Sequence, residues 1–441
     1  MVVPLKIGLA GLGTVGASVV RLIGRQREAL EARCGRPIEI AAVTARSRTT
    51  ERGVDLTRFR WAADPVALAR DPAIDVFVEL IGGEGDPAKR AVETALACGK
   101  SVVTANKAML ARHGAALAAL AEEHHVALNF EAAVAGGIPI VKTLREGLVG
   151  NSLARIYGIL NGTCNYILTR MERENLPFDA CLRDAQRLGY AEADPTFDIE
   201  GHDTAQKLAI LASLAFGTRI DPDAVYVEGI SSITPEDLKA ADDLGYRVKL
   251  LGVAVKTENG IEQRVHPTMV PKNSAIARVM EVTNAVTVDA DAVREITLVG
   301  PGAGGEATAS AVVSDVADIA RGVRTPPFGQ PSARLAVSEK APMQRHEGGY
   351  YIRMLAVDRP GTAARIATHL ADEMISLESI MQRHSGSRPL GGDDPRSAEQ
   401  PVPVILITYA TTEDAVRRAL AKVETEKLIE GKPQLIRIEK T

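Results

Sequence analysis

The stretch "KIGLAGLGTVGASVV", residues 6–20, constrains this chain more than any other. Gly11, Gly13 and Gly16 form a G-x-G-x-x-G directly after a short apolar run and at the start of a helical pattern. There the first glycine permits a tight turn and the second lets a pyrophosphate approach the backbone. The third lets helix and strand pack closely, and the helix N-terminus favours the anion. A glycine triplet alone is a weak signal, but a strand–turn–helix opening a βαβ series makes it a dinucleotide loop. Gly11, Gly13, Thr14, Val15 and Gly16 are the expected cofactor contacts.

The series continues downstream. Residues 5–10, 38–43, 74–80, 101–103 and 126–129 are short apolar runs with β-branched content, and 88–97 and 108–122 have helical spacing. That rhythm predicts an α/β fold with an N-terminal Rossmann-type, doubly wound parallel sheet over residues 1–135, completed by the amphipathic helix 303–323. From 136 to 302 helical segments (139–147, 163–174, 178–188) mix with alternating strands (249–255, 261–266), which predicts an α+β substrate and dimerisation domain. Residues 324–349, dense in Pro, Gly and charge, read as a linker. The last unit, 350–441, has alternating strands such as 404–409 and is expected to carry a separate small core, removable without opening the catalytic one. The polar stretch 385–400 within it reads as a mobile loop.

A chain of 441 residues is too long for a single ordinary core. Apolar residues at 46% and charged ones at 24% describe a globular protein. The net charge of -4 argues against nucleic acid as a partner. No apolar run reaches the ~18 residues that span a bilayer, so no membrane partner is expected, and no leader is visible. Cys34, Cys98, Cys164 and Cys181 lack metal-ligand spacing and fit free thiols in a reducing compartment, the cytoplasm by default.

After the second apolar run an NAD site usually places an acid against the ribose 2'-hydroxyl. This chain has "VTARSR". Arg46 and Arg48 suit a 2'-phosphate, which favours NADP and leaves NAD possible; the alternative is a pair of solvated loop arginines.

"AEADPTFDIEGHDTAQK", residues 191–207, gathers five acids ahead of a lysine. Asp203 and Lys207 are four apart and share one face of a helix over 203–216. A surface pair of that spacing contributes only about 0.2–0.5 kcal/mol, too little to account for the density of acids. A substrate ammonium group and a lysine that passes a proton would account for it.

Here the chain resembles a known family. Ala185, Gly189, Tyr190, Glu192, Asp194, Pro195, Asp198, Ile199, Gly201, Asp203 and Lys207 match, in order and spacing, the signature of the homoserine dehydrogenases. "GLGTVG", "TANK" (104–107), "EAAVAGGIPI" (131–140), "NGTCNYIL" (161–168) and "GPGAGG" (300–305) look like family segments in family order. With no aspartokinase domain ahead of the first run, the resemblance is to the monofunctional form. It implies reversible NAD(P)-dependent reduction of L-aspartate 4-semialdehyde to L-homoserine, a step toward threonine, methionine and isoleucine. It implies Lys207 as the acid/base, with Lys107 near nicotinamide and substrate. Asp203 would hold the lysine or substrate, Glu192 would bind the substrate ammonium, and Asp198 would line the substrate site. Thr104, Gly189 and Gly304 would lie near the cofactor. It further implies a monovalent cation, sodium, held by Glu131 and the carbonyls of Val134, Gly136 and Ile138, and assembly as a homodimer or homotetramer. His202, off the Asp203/Lys207 face, reads as structural.

The last unit resembles an ACT domain, a ferredoxin-like βαββαβ module, with its "DRPG" turn (358–361) before an amphipathic helix. The implied effector is L-threonine; Met374 stands where the family pattern has Gly or Asn, and the alternative is a purely dimerising tail. Two rival readings remain. An aspartate-semialdehyde dehydrogenase needs a nucleophilic cysteine, for which Cys164 is the one candidate near a motif. A non-catalytic amino-acid sensor would keep the fold without turnover.

Overall fold

The computed structural model describes residues 2–337, 339–341, 343, 346–382 and 401–439; the stretch 385–400, expected as a loop, lies outside the described residues. Strands β1 (Leu5–Ala10), β2 (Ile38–Thr44), β3 (Arg60–Trp61), β4 (Val76–Glu79), β5 (Ser101–Thr104) and β6 (Leu128–Asn129) form a parallel sheet in the order β3-β2-β1-β4-β5-β6. Helices cover both faces, so the central strands are apolar almost throughout: Ile7, Leu9, Val76, Phe77 and Val78 are fully buried. Helices Thr14–Arg25 and Gly305–Ala320 pack on one face through Val19, Val312 and Val316. Helices Ala88–Ala97 and Lys107–Glu123 pack on the other through Val92, Leu96 and Leu117. The order reverses between β1 and β4, which opens a crevice at their carboxyl ends.

Among the described residues, the second sheet has eleven strands. Its first part comprises β7 (Leu153–Ile159), β8 (Tyr226–Val227), the hairpin β9 (Tyr246–Thr257) and β10 (Gly260–Pro271), β11 (Thr283–Ala290) and β12 (Arg294–Pro301). Helices Gly162–Glu174, His202–Phe216 and Pro235–Asp243 fill one face through Ile167, Leu208 and Leu238. Helix His202–Phe216 also packs against helix Lys107–Glu123, and that contact joins the two sheets.

The remainder comprises β13 (Glu347–Ala356), β14 (Leu377–Gln382), β15 (Val402–Thr408), β16 (Thr411–Thr412) and β17 (Ile429–Ile438), with helices Thr362–Asp372 and Glu413–Thr425. Apart from the two-residue β16, which pairs with β13, these run βαββαβ in the order β17-β13-β15-β14. The unit does have a core of its own: Ile352, Met354, Ile366, Leu370, Val416 and Val423 cluster beneath the two helices. The opposite face bears on the expectation of a removable unit. Tyr351, Ile407, Ile436 and Ile438 belong to the same core as Leu238 and Ala241. β17 pairs in parallel with β10 through Thr268–Arg437 and Met269–Ile438, so one sheet runs through both units.

Buried polar groups reinforce that junction. Asp237, fully buried, accepts hydrogen bonds from Tyr351 Oη at 2.9 Å and Arg353 Nε at 2.6 Å. Arg437 Nη1 lies 2.6 Å from Glu228, and Arg264 pairs with Glu439. The linker expected at 324–349 is laid down on the body as well: buried Phe328 stacks at 5.2 Å on Phe130, and Ser332 donates to Glu122. Among the described residues, no helix is long and apolar enough to cross a membrane.

Candidate active site

The Gly-rich turn leaves β1 at Gly11, where φ is +100°. A Cβ on Gly11 would stand 2.4 Å from the Leu80 carbonyl oxygen, and one on Gly16 would stand 2.1 Å from the Gly11 carbonyl oxygen. Side chains are therefore excluded at both positions by backbone. Gly13, the residue before helix Thr14–Arg25, faces open space instead, the room a phosphate would use at a helix N-terminus. A cleft of about 880 Å³ is lined by this turn together with Arg46, Ser47, Arg52, Leu80, Ile81 and Pro87. Thr14 lines it; Val15 is half-buried in the helix beside the core.

The two arginines of "ARSR" part company here. Arg46 is exposed and lines the cleft with the glycines, whereas the Arg48 guanidinium lies 5.6 Å from the centroid of the Trp61 ring, in an adjoining hollow. Arg52 was missed by sequence reasoning. Its Nε donates to the Leu12 carbonyl at 2.9 Å, and its other nitrogens donate to the carbonyls of Thr50 and Ser47 at 2.5 Å each. It ties the second-strand loop to the Gly-rich turn.

Beyond β5, Asn106 caps helix Lys107–Glu123 by accepting from the Met109 N–H at 3.1 Å. This sets Lys107 on the first helical residue, with its ammonium 3.2 Å from Asp203 Oδ1. Lys207, one turn along from Asp203, lies 2.7 Å from Oδ2 and donates to the Leu160 carbonyl at 2.7 Å. Burial of Asp203, 5% exposed, pushes its carboxyl up, but the Lys207 and Lys107 ammonium groups and the hydrogen bonds outweigh burial and hold it down to about 2. The carboxylate is ionised throughout the neutral range.

Asn161 Nδ2 donates at 2.9 Å to Asp203 and at 2.9 Å to Asp198. Burial and the charge of Asp203 raise the Asp198 carboxyl above its usual range. Cys164 is fully buried and its Sγ points to the Asp198 carbonyl at 3.2 Å. Burial, then the neighbouring Asp198 and Asp203 carboxylates, push this thiol well above the ordinary value. A thiol so placed is a poor nucleophile, which removes the cysteine that a semialdehyde dehydrogenase of the thioester type requires.

The other expected residues are not all drawn to this centre. Glu192 is exposed on the loop after helix Phe178–Arg187, and its side chain has no partner among the described residues. Gly189 (φ +77°) lies on that loop and Gly304 (φ +112°) precedes helix Gly305–Ala320; both face open space. The Thr104 hydroxyl is buried, donates to Glu79 at 2.5 Å and accepts from the Asn106 N–H at 3.0 Å. Glu79, also missed, is fully buried and accepts from the Ile81 and Gly82 N–H groups as well, clasping the ends of β4 and β5 together. His202 is exposed, with its ring 6.1 Å from Phe197.

Glu131 is 2% exposed, and its two oxygens accept from the Val141 and Lys142 N–H groups at 2.9 and 2.8 Å. Burial and the Asp315 carboxylate push it up to about 7. Val134, Gly136 and Ile138 follow in a buried or close-packed loop, where a Cβ on Gly136 would stand 2.8 Å from the Gly302 carbonyl oxygen. A buried carboxylate suits a hard cation, whose charge would offset the cost of ionising it. Among the described residues no group of three or more His, Cys, Asp and Glu is arranged to hold a metal.

Comparison with known proteins bears on this arrangement. The family model described as the NAD binding domain of homoserine dehydrogenase matches residues 11–131, and that of homoserine dehydrogenase matches 139–317. The homoserine dehydrogenase of Neisseria gonorrhoeae is 44% identical over 442 residues, 99% of each chain. The crystal structure of a homoserine dehydrogenase from Thiobacillus denitrificans is 43% identical, with a TM-score of 0.92 over 100% of this chain and 99% of that one. A hyperthermophilic archaeal homoserine dehydrogenase, solved in complex with NADPH, is 26% identical with a TM-score of 0.63, covering 74% of this chain and all of its own. With a dinucleotide turn, an ionised buried carboxylate between two lysines and relatives of this identity over its full length, the chain belongs to the homoserine dehydrogenase family and is an NAD(P)-dependent oxidoreductase.

Proposed function

We propose that the chain interconverts L-homoserine and L-aspartate 4-semialdehyde with NADP, using Lys207 as the proton-transfer group. The observation that carries this reading is the pair of ammonium groups, Lys107 and Lys207, on opposite oxygens of buried Asp203. When bound, the coenzyme accepts the hydride in one direction and returns it in the other. In oxidation, the neutral Lys207 amine takes the hydroxyl proton as the carbon–hydrogen bond breaks; in reduction its ammonium returns that proton to the aldehyde oxygen. Asp203 fixes the lysine, and Lys107 stabilises charge on the reacting oxygen. Glu192, on its exposed loop, would swing to the substrate ammonium, and Asp198 would line the same site. Gly13, Gly189 and Gly304 leave the backbone open for the coenzyme, and Arg46 lining the cleft supports a 2'-phosphate.

The buried Glu131 carboxylate with the carbonyls of Val134, Gly136 and Ile138 would hold sodium, bracing the joint between the two sheets. The βαββαβ order of the last unit supports an ACT module that takes L-threonine, and Met374, with φ +59° and 89% exposed, occupies the left-handed position where Gly or Asn is usual. Free thiols support the cytoplasm, and the part-exposed edge strand β12 supports assembly into a homodimer or homotetramer. Initial rates of homoserine oxidation with NADP and with NAD, over a threonine series, test the reading. Turnover with NADP, inhibited by threonine, is expected; coenzyme binding without turnover would overturn it.

A further inference from the structure

Asn161 stands at the corner between β7 and helix Gly162–Glu174, 6% exposed. Its Oδ1 accepts from the Cys164 N–H at 2.8 Å and so caps the helix. Its Nδ2 donates to Asp203 Oδ2 and to Asp198 Oδ1, at 2.9 Å each. The residue before it, Leu160, offers its carbonyl to Lys207 at 2.7 Å. One corner of the chain thus grips both members of the Asp203–Lys207 pair.

The cap alone does not call for asparagine. Serine, threonine or aspartate would accept the same N–H. What asparagine adds is an amide with two hydrogens, and here each one meets a different carboxylate. Asp198 and Asp203 repel when both are ionised. A neutral double donor between them relieves that repulsion without adding a cation that would compete with Lys207.

We propose that Asn161 is a positioning residue for proton transfer: its amide locks Asp203 against Lys207 while holding Asp198 apart. The inference rests on the reading of Lys207 given above. The charged and titratable groups around the pair are Lys107 from helix Lys107–Glu123, Asp198 and Glu200 from the preceding turn, and the Cys164 thiol from helix Gly162–Glu174.

Two variants separate positioning from capping. Asn161→Asp keeps the cap acceptor and replaces the double donor by a third carboxylate; Asn161→Ser keeps the cap and cannot bridge both acids. Asn161→Ser is expected to retain the melting temperature and the NADP dissociation constant and to lose at least ~10-fold in kcat; Asn161→Asp, which adds a buried charge beside two others, is expected to melt lower and to lose at least as much. In Asn161→Asp the added negative charge faces Lys207, so the pH profile of homoserine oxidation is displaced. Asn161→Ser displaces it less, and carries the comparison should Asn161→Asp fail to fold. Wild-type kcat and an unmoved pH profile in both variants would reduce Asn161 to a helix cap and overturn the inference. Lys207→Ala belongs in the same series: if it stays active, the reading of the lysine falls, whereas an inactive Lys207→Ala beside fully active Asn161 variants sinks the positioning role alone.

Discussion

Lys107 and Lys207 come from helices packed on different sheets, yet they address opposite oxygens of one carboxylate, at 3.2 and 2.7 Å from Asp203. Neither sheet alone assembles this arrangement. The contact between helices Lys107–Glu123 and His202–Phe216 sets its geometry, and the coenzyme cleft opens along the carboxyl ends of the first sheet's strands.

If Lys207 passes the proton as proposed, Lys207→Ala should lower kcat by about 10²–10⁴. Coenzyme affinity should be nearly unchanged, because the lysine is bound to Leu160 and Asp203 and does not line the cleft. Stopped assays alongside fluorescence titration with NADPH check both halves. More than half of wild-type turnover in the variant would sink the role.

Asp203 gives stability a pH dependence whose sign can be worked out. Its folded-state carboxyl sits at about 2, below the unfolded value of 3.8. The stabilisation is therefore fully present above about pH 4 and is lost as pH falls toward 2. The amount is on the order of 2 kcal/mol. Urea unfolding of wild type and Asp203→Asn at pH 6 and pH 3 measures it, and the gap between the two proteins should narrow at the lower pH.

Arg46 and Arg48 are expected to differ in coenzyme choice, because only Arg46 lines the cleft while Arg48 packs on Trp61. A charge-assisted bond to a 2'-phosphate contributes about 1.5–3 kcal/mol, or roughly tenfold and more. Arg46→Ala should lower the NADP-to-NAD ratio of kcat/KM by at least that factor, and Arg48→Ala by much less. Equal small effects from both would show that the loop does not read the phosphate.

Sodium should raise the melting temperature relative to choline at equal ionic strength, if Glu131 and its carbonyl loop take a cation. Glu131→Gln removes the charge and keeps the shape, so the difference between the two salts should disappear. An unchanged difference in that variant would move the cation elsewhere.

Much of this was legible in sequence because it is local. The G-x-G-x-x-G turn lies within one βα unit, and the Asp203–Lys207 pair lies within one helical turn, at a spacing that places both on one face. Lys107 came from the family resemblance of "TANK", and its contact with Asp203 depends on two helices meeting and leaves no periodic trace. β7 was hidden for a physical reason: "LARIYGI" carries a charge and a glycine, and Gly158 is needed because a Cβ there would stand 2.3 Å from the Ala285 carbonyl oxygen of β11. Thr234 and Asp237 did leave a signal, the T-x-x-D of a capping box. Asp237, Arg264, Arg353 and Arg437 resemble surface charges when read alone, and their burial follows only from the sheet that unites the two units.

That union sets the last prediction. Deleting residues 347–441 would strip Asp237 of Tyr351 and Arg353, leave Arg264 without Glu439, and expose the apolar faces that meet Tyr351, Ile407 and Ile436. Losing one partner of a buried ion pair costs about 3–5 kcal/mol, a large share of the ~5–15 kcal/mol that holds a typical domain. The truncated chain is therefore expected to melt well below the full-length protein or to aggregate, not to persist as a fully stable enzyme free of regulation. A milder cut isolates the cause: Arg353→Met removes the charge and keeps the bulk, while Asp237→Asn/Arg353→Met removes both charges. The single variant should be the less stable of the two, because it leaves the carboxylate buried and unpaired. Differential scanning fluorimetry of the full-length protein, the truncated chain and the single and double variants decides the matter. If truncation leaves the melting temperature unchanged, the junction is a docked contact and the catalytic core stands without it.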